Sequence, residues 1–193
     1  MKRVFVFALS LALVSSWAAA SGADQGNRGR QHRPQLIVAF RTMYGVDGPF
    51  LGSTNEIRDV EGDDLPWVVR SARGSLDSTG HLRIQVRGLV FADDPLVPPE
   101  LVGTNDDDEF RGLVSCLTEV GDTVTTQNVA TKGFPATPTG DSNIDAHVDL
   151  PNPCVAPIVF VLGGDEDKWF AVMGFESEDA ESNEDHQGDQ DED

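Results

Sequence analysis

The sequence predicts an all-β fold: an antiparallel β-sandwich, immunoglobulin-like or related, of about eight strands. Three observations point there. Apolar segments of strand length, rich in Val, Ile, Phe and Thr, recur between Leu36 and Phe175. Clusters of Gly, Pro and Asp punctuate them. No segment carries the apolar stripe of period 3.6 that marks an amphipathic helix.

The chain opens with Met1, Lys2 and Arg3, then a run from Val4 to Val14 that is apolar apart from Ser10, then Ala18-Ala19-Ala20. A basic start, a short apolar run and an A-x-A site predict a secretory signal peptide over residues 1–20. The run is shorter than the roughly 20 apolar residues a membrane-spanning helix needs, and no later segment approaches that length, so no transmembrane segment is expected. Residues 21–35 are rich in Gly, Gln and Arg and read as a flexible N-terminal segment.

The β-sandwich domain is expected over 36–175, with strands near 36–44, 66–76, 81–91, 111–119, 122–131, 142–150, 155–162 and 168–175. The clearest hairpin joins the second and third through Asp77-Ser78-Thr79-Gly80, which puts glycine where a turn wants positive φ. Gly121-Asp122 and Gly163-Gly164-Asp165 mark two more reversals, and links this short require antiparallel neighbours. Alternation sets the faces. In the third strand Leu82, Ile84 and Val86 oppose His81, Arg83, Gln85 and Arg87; in the sixth Ile144, Ala146, Val148 and Leu150 oppose Asn143, Asp145, His147 and Asp149. Each of these strands has one wet face. Val155 to Leu162 is apolar except for a proline near its start, as in a central strand covered on both sides. Trp169, Ala171, Met173 and Phe175 read as the core face of the last strand, with Trp67 packed against it. Two segments, Gly45 to Leu65 and Ala92 to Phe110, are longer than ordinary loops, so they carry function or contain short strands.

The composition is strongly acidic, with 33 Asp and Glu against 14 Lys and Arg and a formal charge of −19. Loss of the leader removes Lys2 and Arg3, leaving 12 basic against 33 acidic residues, or −21. Such a balance opposes binding to nucleic acid or anionic membranes, which need cations to neutralise phosphate. Ten acidic residues and no Lys or Arg lie between Glu176 and Asp193, which predicts a disordered acidic tail over 176–193. Cys116 and Cys154 are the two cysteines, and in an exported chain they predict a disulfide. No C-x-x-C spacing suggests redox or zinc chemistry.

No nucleophile elbow, HExxH, Walker or GxGxxG pattern is present, so the sequence leans away from an enzyme and names no catalytic residue. The acidic run at Asn105 to Glu109 offers Asp106, Asp108 and Glu109 as candidate metal ligands for Ca²⁺, a cation that takes six to eight oxygens, though it lacks the EF-hand order. His147, flanked by Asp145 and Asp149 at alternate positions, is the one candidate acid/base residue. Its plainer reading is a solvated strand face matched in charge to Arg83 and Arg87.

Thr42 to Phe50 (TMYGVDGPF), Leu65 to Val69 (LPWVV) and Leu82 to Leu89 together resemble small exported bacterial β-domain proteins of unassigned function. The resemblance covers most of 36–175 and implies a secreted bacterial domain; it carries over no catalytic residue. The expectation is therefore a secreted or extracytoplasmic domain, in the periplasm or at the cell surface. It would bind an extracellular ligand or protein or serve a structural role, with Ca²⁺ as the only candidate cofactor. The alternative is a secreted hydrolase with a site under a long loop, using His147 and a nearby carboxylate.

Overall fold

The computed structural model describes residues 33–174. The predicted signal peptide, most of the N-terminal segment, Phe175 and the acidic tail lie outside them. Ten strands follow in chain order: β1 Leu36–Phe40, β2 Thr42–Gly45, β3 Trp67–Asp77, β4 His81–Phe91, β5 Glu109–Val120, β6 Thr123–Ala130, β7 Phe134–Pro135, β8 Ser142–His147, β9 Val155–Gly163 and β10 Trp169–Gly174. They form two antiparallel sheets. The first has the order β1-β3-β4-β8; the second runs β2-β10-β9-β5-β6, with β7 also paired to β5. No α-helix occurs among the described residues.

Ten strands replace the expected eight for two reasons. The segment read as one strand, 36–44, changes sheets at Arg41: β1 pairs with β3, and β2 pairs with β10. At the far end of β2, Gly45 lies close against the start of β3, where a Cβ would stand 1.9 Å from the Trp67 carbonyl oxygen. The second new strand is β7, where Phe134 pairs with Phe110 after the break at 131–133.

The β3–β4 hairpin forms at the predicted turn. Asp77 Oδ1 accepts hydrogen bonds from the Thr79 N–H at 2.8 Å, the Thr79 hydroxyl at 2.6 Å and the His81 N–H at 3.2 Å. The Thr79 hydroxyl is the main reason the Asp77 carboxyl lies below the usual carboxylate range. Gly80 takes φ +81° beneath the Val148 carbonyl, which a Cβ would approach to 2.0 Å.

Between the sheets the core is aromatic at one end. Trp67 stacks on Phe170 with ring centroids 4.1 Å apart and packs on Phe91 at 4.2 Å, while Phe170 meets Phe110 edge-on. The Trp67 indole N–H donates to Asp63 Oδ2 at 2.7 Å, so its polar edge is satisfied. Leu82, Ile84, Val86 and Ile144 are buried as alternation requires. Gly112 on β5 faces them, and a Cβ there would come within 2.8 Å of Leu82. The disulfide Cys116–Cys154 ties buried β5 to the approach of β9, with Cα atoms 5.0 Å apart.

The segment between β2 and β3 is a cover, carrying one 3-10 turn at Gly48–Phe50 and isolated bridges instead of further strands. Phe50 packs on Trp169 at 6.4 Å, Gly62 bridges to Trp169, and Val46 and Val60 are buried. Arg58 donates to the Ala156 carbonyl at 3.2 Å, and Asn128 donates to the Arg58 carbonyl at 2.9 Å. The cover therefore runs over the outer face of the second sheet from β10 to β6, which is why β9 is buried on both sides from Val159 to Gly163. A bulge between Trp169 and Ala171 sends Trp169 outward beneath this cover and Phe170 inward, so the simple alternation expected for the last strand is broken.

The other long segment closes one end of the sandwich. Val97 is buried, Leu101 and Val102 partly so, and the Phe91 backbone exchanges hydrogen bonds with Gly103 and Thr104.

Candidate functional site

One sheet has its outer face covered by the protein's own chain; the outer face of the other is open. That open face belongs to β1, β3, β4 and β8, and the same alternation that buries Leu82, Ile84 and Val86 turns Arg83, Gln85 and Arg87 outward on β4. Cross-strand register brings in the rest. Gln85 stands opposite Arg73 on β3 and Asn143 on β8; Arg83 lies opposite Ser75 and Asp145, and Arg87 opposite Ser71. Arg73 is thus a diagonal neighbour of both Arg83 and Arg87, at the roughly 7–8 Å expected of such pairs. Arg41 joins them from the corner between β1 and β2, because Phe40 is paired with Gly74, the residue after Arg73. Arg41, Arg73 and Gln85 line two adjoining open concavities, of about 510 and 600 Å³.

The four guanidiniums differ in how they are engaged. Arg87 is held by the carbonyls of Val86 and Ser142 and by Asn143 Oδ1 at 3.0 Å. Arg83 makes a loose ion pair with Asp145 at 3.5 Å. Arg41 and Arg73 are exposed, and neither has a hydrogen-bond or carboxylate partner among the described residues. In a chain with 33 acidic residues against 14 basic ones, two unneutralised arginines side by side are unexpected. Each guanidinium offers a planar fork of donors that fits a carboxylate through two parallel hydrogen bonds. A strand face repeats every second residue, about 6.6–6.8 Å, which is also the spacing of alternate carboxylates on an extended acidic peptide.

His147 ends β8 opposite His81, and their rings stack 4.5 Å apart. The carboxylate beside them serves the other ring: Asp145 Oδ1 lies 2.6 Å from His81 Nε2. That hydrogen bond first, and the charges of His81 and Arg83 after it, hold the Asp145 carboxyl below its ordinary range. The pair lies at the hairpin end of the sheet. The 92–108 segment leaves the far end of β4, at Phe91, where Trp67 pairs as the chain emerges from the 46–66 cover. His147 is thus remote from both long segments. Of the expected charge matches across β4 and β8, Arg83–Asp145 forms, while Arg87 turns to Asn143.

The acidic segment before β5 is organised around Asn105. Buried, Asn105 donates to the carbonyls of Asp107 at 2.7 Å and Thr137 at 2.9 Å, and its Oδ1 accepts from the Asp107 N–H. Asp106, Asp108 and Glu109 are exposed, and Glu109 belongs to β5, where its side chain lies against Gly133. Among the described residues no three His, Cys, Asp or Glu side chains gather as a metal centre requires. The half-buried residue is Asp107, whose carboxyl is pushed up to about 6, first by desolvation and then by the charges of Asp106, Glu166, Asp63 and Asp165. Nearby cations are committed elsewhere. Lys168 pairs with Asp64 at 2.5 Å, a contact that raises the Lys168 ammonium, and Arg111 pairs with Asp167 at 3.0 Å.

No family model, curated protein or solved structure matches the chain.

Proposed function

We propose that the protein is an exported, extracytoplasmic binding domain, and that the arginine-lined face of its four-stranded sheet recognises an acidic peptide segment of a partner. One observation carries this reading: Arg41 and Arg73 stand exposed and adjacent with no carboxylate partner among the described residues, on the sheet face that the fold leaves uncovered. The signal-peptide pattern over residues 1–20 and the Cys116–Cys154 disulfide support export, since such bonds persist in oxidising compartments. Strand-on-face recognition needs no catalytic group, and the sequence offers no catalytic motif.

The test is a titration of the protein with poly-L-glutamate in about 20 mM salt, where the Debye length is about 20 Å and the arginine field is little screened. Saturable binding is expected, with an affinity at least tenfold lower for the Arg41→Ser, Arg73→Ser double variant. Equal binding by wild type and variant overturns the proposal. Because both side chains are exposed, an unchanged melting temperature will show that the variant is folded.

A further inference from the structure

The exit of the chain from the sandwich lies beside the arginine face. Strand β10 runs antiparallel to β2, and its last residue, Gly174, is paired with Thr42, the residue after Arg41. The polypeptide therefore leaves the second sheet at the corner where Arg41 opens the face. Two residues later begins the segment Glu176 to Asp193, with ten carboxylates and no Lys or Arg. The 19 residues after Gly174 could extend about 60 Å at full stretch and span about 24 Å as a random coil. The four-strand face is about 15–20 Å across at 4.8 Å per strand, so the segment covers it without strain.

We propose that the C-terminal acidic segment docks on this arginine face within the same molecule and competes with acidic ligands from outside. The inference rests on the reading of the face given above and adds its regulation. Charge complementarity points to this occupant, since the segment concentrates ten of the protein's 33 acidic residues and is tethered next to Arg41 and Arg73. Tethering raises the local concentration to about millimolar. With an intrinsic dissociation constant on the order of 0.1 mM for a few exposed ion pairs, the segment would weaken an outside ligand about tenfold. Its hold would fade as salt screens the pairing.

The test uses a fluorescent synthetic peptide of sequence 176–193 as probe, added in low salt to two full-length proteins. One is wild type; in the other the ten acidic residues of the segment are changed, Glu→Gln and Asp→Asn. The neutralised protein is expected to bind the probe about tenfold tighter than wild type, and Arg41→Ser with Arg73→Ser in the neutralised background should abolish that binding. Affinities equal within twofold overturn the docking proposal while leaving the arginine face as a peptide site. Failure of the neutralised protein to bind the probe overturns both. Sedimentation supplies the remaining arm: concentration-dependent association of wild type, absent in the neutralised protein, would place the segment on a second copy and overturn docking within one chain.

Discussion

Asp107 sets a pH dependence of stability whose sign runs against the usual behaviour of a carboxylate. Its folded-state value of about 6 lies above the ordinary 3.8, because the side chain is half-buried against Gly163 and faces Asp106, Glu166, Asp63 and Asp165. A carboxyl raised on folding binds its proton more tightly in the native state. Its favourable contribution is complete below pH 3.8 and is lost as the pH rises through about 6. The interval of a little over two pH units corresponds to a ceiling of about 3 kcal/mol at 1.36 kcal/mol per unit. The carboxyl is only half-buried, so solvent screening reduces this to about 1–1.5 kcal/mol. Asp107→Asn removes the charge and keeps the shape. The Asp107 backbone, through its N–H and carbonyl, makes the hydrogen bonds to Asn105, so the substitution leaves them in place. The variant should melt about 3–6 °C above wild type at pH 7.5 and within about 1 °C of it near pH 4. Thermal unfolding followed by circular dichroism at both pH values measures this directly. High salt should shrink the gain at pH 7.5, since part of it comes from neighbouring carboxylates. A gain of equal size at both pH values, or none at pH 7.5, would refute the assignment of the cost to a desolvated, crowded carboxylate.

Other consequences follow from local geometry. Replacing both Cys116 and Cys154 by Ala opens a loop of sequence separation 38 and should lower stability by about 4 kcal/mol in the chain-entropy picture, seen as a large drop in denaturant midpoint; a loss below about 1 kcal/mol would contradict it. Gly140 and Gly103 have nearly the same φ, +72° and +73°, but a Cβ on Gly140 would sit 2.0 Å from the Leu89 carbonyl oxygen while one on Gly103 meets nothing within 4 Å. Gly103→Ala should therefore cost about 1 kcal/mol for the left-handed conformation alone, and Gly140→Ala at least about 2 kcal/mol more. Equal costs in urea unfolding would remove the steric argument.

The parts of the fold legible in the sequence are those governed by a local period. The Asp77–Gly80 hairpin and the two faces of β4 and β8 follow from alternation and turn chemistry alone, because a pleated strand with one wet face must alternate. Departures occur where a distant partner decides. Along β4 the buried positions change from Leu82, Ile84 and Val86 to Leu89 and Phe91; along β3 they change from Trp67 to Ala72 and Leu76. Both strands shift phase with the register intact, at the point where Gly88 takes φ +66° against Arg70. Nothing local to β3 announces this. The crossing at Arg41 and the outward turn of Trp169 are likewise set by distant partners: the pairing of β1 with β3 and of β2 with β10 in one case, Phe50 and the 46–66 cover in the other.

The same distinction explains what was legible of the site. Arg83 and Arg87 could be placed on a wet face from β4 alone. Arg41 lies inside a segment that reads as one uninterrupted strand, and Arg73 acquires its neighbours only through the β3–β4 register. Asp106, Asp108 and Glu109 stand out in the sequence because consecutive charges are conspicuous. Local structure disperses such a run: Asn105 anchors its start, β5 takes up its end, and Asp107 is turned inward while its neighbours stay exposed. Arginines spaced along separate strands leave no such signature, yet antiparallel pairing gathers them on one face. In a protein this acidic, the informative charges are the few of opposite sign and the place where the fold leaves them unneutralised. Here that place adjoins the end of β10, where the most acidic stretch of the chain begins.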